Sequence, residues 1–506
     1  MTTKLAAAIA MFLLLPAPVA AAAELCGSQE ATILGTERRD TLRGTSGPDV
    51  FQALGGDDVI VGRGGDDRVC DGTGDDVVRA GPGRDVLAGS PGDDVLAGGR
   101  GADEVFDDGG DDVLAGGAGP DRLDLASEFD DGGSDTLRGG PGDDRLVAGA
   151  IQREAYDGGS GVDLLDLAAL PEGAEVDLAT GSLEGAGSAT IARIESVIGT
   201  GYADVLRGDD TTNSLFGGEA TGGFFGPTFP AGPVPDTLDG RGGDDLLNGE
   251  TGDDTITGGD GDDTILDGRG RDSIAAGPGN DVVSTAYVCD DPEHNGRCSP
   301  PQEAYYGDAI DGGDGDDALS GGDGDDTITG RTGTDFLAGA AGADDLRGGD
   351  GGDVLRGGAD TDALDGGEGS DLADFADARA AVTLDLAAAT VSGGSDDALV
   401  SVEGAFGSAF DDVLNGSDAP NDINGGDGND VVRGLGGNDH LDGGDGEDEV
   451  YGGEGDDSLL GGGGPRYLGH NAGDGRPDLQ DGGPGVDSCG FQSYDETVGC
   501  EGGVLE

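Results

Sequence analysis

From residue 35 to residue 124 the chain repeats every nine residues without a slip. Each frame is glycine-rich and then gives an aspartate, any residue and a large apolar residue. The aspartates are Asp40, Asp49, Asp58, Asp67, Asp76, Asp85, Asp94, Asp103, Asp112 and Asp121. Two residues after each come Leu42, Phe51, Ile60, Val69, Val78, Leu87, Leu96, Val105, Leu114 and Leu123. Glycines allow turns with positive φ, the apolar residue fills a core, and the aspartate offers one carboxylate per turn. Side chains alternate along a strand, so in 425–433 Val432 faces inward while Val431 and Arg433 face out. A strand of about three residues cannot bury its apolar residue alone. The frames must stack, which predicts an all-β parallel solenoid with a core one side chain wide.

That core is too thin to hold the chain unaided. One buried aliphatic contributes about 1.5–3 kcal/mol, whereas ordering nine residues costs about 1–2 kcal/mol each for the backbone. Stacked carboxylates worsen the deficit. The chain has 106 acidic against 26 basic residues, 109 glycines, no tryptophan and a net charge of −80 over 506 residues. Such charge at low hydrophobicity marks a disordered chain, yet the exact register argues for order. A bound cation resolves the conflict: disordered without it, folded with it. Nucleic acid is excluded as a partner, because a phosphate backbone demands a basic surface. Calcium suits the donors, accepting six to eight carboxylate and carbonyl oxygens at about 2.3–2.6 Å in flexible geometry. Magnesium demands a stricter octahedron, and zinc and copper prefer nitrogen and sulfur, which the frames scarcely offer.

The frames resemble the GGxGxDxUx nonapeptide of the repeats-in-toxin family, also called haemolysin-type calcium-binding repeats. The resemblance implies a right-handed parallel β-roll with two frames per coil and calcium held between turns by glycine-turn carbonyls and the sixth-position aspartates. By that resemblance the ligands fall on Asp58, Asp67, Asp76, Asp85, Asp94, Asp103, Asp112 and Asp121; on Asp245, Asp254, Asp263, Asp272 and Asp281; on Asp317, Asp326, Asp335, Asp344 and Asp353; and on Asp430, Asp439, Asp448 and Asp457. If each site needs a turn and the next on the same side, the four long blocks hold about 21 ions. Arg38, Pro48 and Tyr202 disturb the glycine turn, so the first two frames and the one with Asp204 are expected to bind poorly. Asp360 disturbs another.

The frame recurs in blocks, and a longer repeat lies over it. Residues 176–218 and 384–426 match at a constant offset, Glu195 with Glu403 and Asn213 with Asn421, as an internal duplication. They read as longer β-coils that join or interrupt the stack. The predicted organisation is a signal peptide at 1–23, a first β-roll block at 24–166, a connector with two repeats and a proline- and aromatic-rich insert at 167–230, a second β-roll region at 231–374 with an insert at 285–311, the duplicated connector at 375–406, a third block at 407–460 and a C-terminal disulfide-bearing cap at 461–506. Lys4, the apolar run of residues 5–15 and the small residues before Glu24 predict export with cleavage after Ala23. Six cysteines in an exported chain suggest disulfides, by position Cys26–Cys70, Cys289–Cys298 and Cys489–Cys500. No CxxC pair or histidine cluster favours zinc instead.

An enzyme is the first rival reading. His294, His440 and His470 form no HExxH, no GxSxG elbow appears, and an open acidic ladder is no protected acid–base pair. No later segment is apolar enough to span a membrane. The sequence reading is therefore a secreted, non-enzymatic calcium-binding repeat protein with a structural, adhesive or binding role, whose partners are calcium and cell-surface or extracellular matrix components. The alternatives are a module of a secreted hydrolase or surface adhesin system, and a divergent secreted enzyme. The aromatics of the inserts, among them Phe224, Phe225, Tyr305 and Tyr306, read as loop cover for the side of a coil.

Overall fold

Strand pairing follows the sequence period doubled. In the computed structural model, Val59 pairs in parallel with Val77, Val77 with Val95 and Val95 with Val113, each step being two frames. Alternate frames therefore build two separate parallel sheets, and one coil takes two frames. The structure describes residues 30–107, 109–125, 133–149, 153–185, 187–218, 234–284, 307–393 and 396–461, with the backbone of the strands Leu479–Asp481, Ser488–Phe491, Glu496–Val498 and Val504–Leu505. They fall into two compact units, 1–258 and 259–506. Each unit is a β-solenoid; no helix occurs among the described residues. The predicted signal peptide, Cys26, Cys289, Cys298, Cys500 and the aromatic inserts lie outside the described residues.

The apolar eighth position of each frame is the core. Phe51, Ile60, Leu87, Leu96 and Leu114 in the first unit, and Leu337, Leu346, Leu355, Val432 and Leu441 in the second, are completely buried. Leu42, in the first frame, remains half-buried. Each core residue meets its counterpart one coil on, as Leu346 meets Leu364, so the column of aliphatics is continuous within a unit.

Pairing often extends beyond the three residues that alternation suggests. Val77–Pro82 and Thr327–Gly333 run on into the glycine turn, with Gly81 opposite Gly99 and Pro82 opposite Arg100. The turns thus stack as closely as the strands, and their carbonyls line up along the coil axis.

The duplicated connectors do not interrupt the stack. Tyr156 still pairs in parallel with Ile191, and Val176 with Leu206. The extra residues fold as an antiparallel excursion of Glu175–Asp177, Ser182–Glu184 and Ser188–Ala192. Thr383–Asp385, Thr390–Ser392 and Ala398–Val400 repeat that arrangement in the second unit. Loop closure adds little cost with length, so the insertion is absorbed locally and the coil register survives it.

Candidate metal centre

The sixth-position aspartates are drawn inward by hydrogen bonding, against the cost of burying charge. Each lies beside a turn whose backbone N–H needs an acceptor, and each supplies it across one coil. The N–H of Asp58 donates to Asp76 Oδ1 at 2.6 Å, that of Asp76 to Asp94 Oδ1 at 2.7 Å, and that of Asp94 to Asp112 Oδ1 at 2.7 Å. The alternate frames make a second ladder through Asp67, Asp85, Asp103 and Asp121. In the second unit the same ladder runs from Asp317 to Asp335 to Asp353 and from Asp326 to Asp344, and again from Asp430 to Asp448 and Asp439 to Asp457. Asp245 and Asp254 accept from Asn213 and Asp236, and Asp281 from Asp263. All the aspartates named as expected ligands, Asp272 included, are buried.

In fifteen of these carboxylates one oxygen is thereby satisfied and the other is not. Oδ2 of Asp58, Asp67, Asp76, Asp85, Asp94, Asp103, Asp112 and Asp121 is buried without a hydrogen-bond donor, as is Oδ2 of Asp317, Asp326, Asp335, Asp344, Asp353, Asp430 and Asp439. An orphaned buried charge is costly. Burial, only partly offset by the N–H bond from the neighbouring coil, pushes Asp67, Asp76, Asp85 and Asp103 up to about 6. The same balance, with like charges nearby, holds Asp121, Asp317, Asp344 and Asp430 at about 7. Arg122, Arg145 and Arg356 pair with the ninth-position Asp124, Asp166 and Asp374.

The orphaned oxygens point at a cradle. At Gly348, the first position of its frame, an added Cβ would lie 2.2 Å from Asp353 Oδ2 and 2.6 Å from the carbonyl oxygen of Gly366 on the next coil. Gly62 repeats this with Asp67 Oδ2 at 2.3 Å and the Ala80 carbonyl at 2.5 Å, and Gly434 with Asp439 Oδ2 at 2.0 Å and the Gly452 carbonyl at 2.6 Å. Carboxylate and carbonyl oxygens thus converge where the missing side chain leaves room. This all-oxygen donor set, with no nitrogen or sulfur, fits calcium.

Some frames complete themselves instead. Thr36, Thr45, Thr200 and Ser408 stand at the second position, where most frames carry a residue with positive φ. Their N–H groups donate to Oδ2 of Asp40, Asp49, Asp204 and Asp412 of the same frame at 2.5–2.7 Å. The hydroxyls add further bonds. The frames that the sequence marks as poor binders are among these, but the device is the second-position hydroxyl residue rather than the lost fourth-position glycine. In two more frames the amides of Asn213 and Asn421 accept from Asp209 and Ser417.

Several members of the ladder escape a sequence search. Asp308 accepts from Asp272 across a 36-residue step, and Asp397 from Asp362 across 35. Glu195 and Glu403 replace the aspartate where the connector inserts, and their longer side chains still reach the N–H groups of Asp163 and Asp371. The clue was present in the residue two positions on, Ile310 and Leu399, each buried. Asp71, Asp107 and Asp267 are also buried acids; they occupy the first position, where the template has glycine.

A family model described as RTX calcium-binding nonapeptide repeat (4 copies) matches residues 34–69, 71–105, 89–123, 129–150, 192–221, 235–265, 257–286, 305–337, 338–373, 406–441 and 433–468. No curated protein matches the chain.

Proposed function

Since the chain belongs to the RTX calcium-binding nonapeptide repeat family, we propose that it is an exported, non-enzymatic protein in which calcium binding drives the folding of a rigid acidic β-roll. The observation that carries the proposal is the column of buried, donorless Oδ2 atoms beside first-position glycines. In this reading the Oδ2 atoms and turn carbonyls hold the ion, and the positive charge it brings offsets the repulsion along each ladder. The ligands proposed are the sixth-position aspartates named above, from Asp58 to Asp457. The Oδ1 atoms keep the folded coils in register through their N–H bonds.

Folding outside the cell follows from the same chemistry. Extracellular calcium modules commonly have dissociation constants of about 10⁻⁴–10⁻³ M, so a calcium-poor interior leaves the chain unfolded and a calcium-rich exterior folds it. The leader at 1–23, the seven-part organisation and the three disulfides belong to this proposal. None of the described cysteines is free, and buried Cys70 lies on the strand Arg68–Cys70. No helix among the described residues is long and apolar enough to cross a membrane. A structural, adhesive or binding role toward cell-surface or matrix components suits a stiff acidic β-roll.

Circular dichroism during a calcium titration of the exported chain, with magnesium as control, tests the reading. Strand signal that appears only with calcium supports it, and full strand content in excess chelator overturns it.

A further inference from the structure

Among the described residues, three frames carry an aspartate at the first position, and the structure places each of these inside the solenoid. Asp71, Asp107 and Asp267 are 0 %, 3 % and 1 % exposed. Each enters the place that glycine leaves open elsewhere. There it meets the sixth-position aspartate of its own frame and one from an adjoining coil. Asp71 gathers with Asp76 and Asp94, Asp107 with Asp94 and Asp112, and Asp267 with Asp272 and Asp308. Within each triad the three carboxylate oxygens lie within 4.8 Å of one another. That separation matches oxygens sharing one calcium shell of about 2.3–2.6 Å radius.

The triads are unfinished as they stand. Oδ2 of Asp71 and of Asp267 has no hydrogen-bond donor, and neither oxygen of Asp107 has one. The remaining oxygens of Asp71 and Asp267 accept from the N–H groups of Gly72 and Gly268 at 2.8 and 2.7 Å, which fixes the side chains in place. Room for Asp107 comes from Gly89, one coil before it, where an added Cβ would lie 1.9 Å from Asp107 Oδ1. A buried cluster of this kind needs a counter-charge.

We infer that these three triads are a second class of cation site, each holding one calcium ion among three carboxylates, with Asp94 shared between the first two. The inference rests on the calcium reading proposed above but differs from it in ligand chemistry. An ordinary turn offers carbonyls with sixth-position carboxylates, whereas a triad adds a carboxylate from the first position. More ligand charge in a rigid setting tightens calcium binding. The triads therefore fill first, and they start the ordering of the residues around Asp94 in the first unit and around Asp272 in the second.

The test counts ions retained by the full exported chain in a calcium titration against a competing chelator. Asp71→Gly, Asp107→Gly and Asp267→Gly each restore the template residue, so folding in millimolar calcium, followed by circular dichroism, is expected to survive. Each substitution removes one ion from the tight class and weakens binding at that turn at least tenfold. Asp71→Asn and Asp267→Asn keep the bonds to Gly72 and Gly268 but lose the charge, and are expected to behave as the glycine variants do. Unchanged retention in the glycine variants overturns the inference, as does wild-type retention in the asparagine variants, which would mean that the acids are protonated and bind no ion. Should a glycine variant fail to fold, the asparagine variants decide. A wild-type chain that takes up no calcium at all overturns the underlying calcium reading, an outcome distinct from uniform weak binding.

Discussion

Asp353→Asn separates the two jobs of a sixth-position carboxylate. Asp353 is fully buried, its Oδ1 accepts from the Asp335 N–H at 2.9 Å, and its Oδ2 faces the Gly348 cradle without a donor. The amide keeps an acceptor for Asp335 but loses the charge on it. Hydrogen bonds to charged groups contribute about 1.5–3 kcal/mol against about 0.5–1.5 for neutral ones, so that change costs about 1 kcal/mol. On the other side, a donorless buried oxygen, costing about 1–3 kcal/mol, gives way to an NH₂ that faces the Gly366 carbonyl. Without calcium the variant should therefore match the wild type or exceed it by up to about 2 kcal/mol.

With calcium the order reverses. The ion beside Gly348 loses a charged ligand and binds at least tenfold more weakly, about 1.4 kcal/mol or more. In chelator, where both proteins are unfolded at equilibrium, the concentration of an excluded osmolyte needed to fold each one gives the first difference, and urea unfolding in millimolar calcium gives the second. A variant destabilised equally under both conditions refutes the reasoning, because it assigns Asp353 a purely structural bond.

Three further outcomes are expected. Ala340 holds a φ of 80° at a second position, a left-handed geometry that costs a non-glycine residue about 1–2 kcal/mol. Ala340→Gly should raise stability in calcium by about 1 kcal/mol, read as a higher urea midpoint, although glycine ordinarily weakens strands. Glu403→Asp shortens the arm that reaches the Asp371 N–H at 3.1 Å; stranding that donor should cost about 1–3 kcal/mol, while Glu403→Gln should cost less. Asp317, Asp344 and Asp430 rise from 3.8 to about 7 because they are buried beside like charges. The folded chain then binds protons that the unfolded chain releases between about pH 4 and 7, so calcium-free strand signal should grow as pH falls through that window, and half-saturation should need more calcium below about pH 7.

The nine-residue period made the fold legible because period and pairing are one quantity here: two frames make a coil, as in Val59 opposite Val77. The inward aliphatic and the aspartate column were readable for the same reason. Asp308 and Asp397 were not, since each follows an insertion whose glycines do not keep the template, and only the three-dimensional ladder restores their register. Glu195 and Glu403 were visible as a matched pair in the duplication, yet their role depends on reach, which sequence does not state. Nor does spacing reveal that one glycine is needed for space and another for φ. Gly348 leaves a cradle, whereas Gly349 sits at φ +121° with the Arg331 carbonyl 2.1 Å from where its Cβ would be.

The placement of the self-completing frames explains how such a ladder can end. An ion between turns needs oxygens from both sides, and a frame at the end of a block lacks one of them. Terminal repeats of solenoids generally depart from the consensus for this reason. Here Thr36 and Thr45 open the first block, and Ser408 and Ser417 follow the second antiparallel excursion, as Thr200 and Asp209 follow the first. Each turns its own N–H onto the sixth-position side chain, so those coils gain in hydrogen bonds what they lose in ligands. Asn213 and Asn421 go further by removing the charge, and Asn421 Nδ2 donates to the Glu403 carbonyl at 2.7 Å. The same nine-residue frame thus occurs in two forms, one that leaves a carboxylate oxygen for a cation and one that satisfies it internally. The second form opens the first block and recurs after the excursions of the duplicated connectors, where it lets each ladder resume in register.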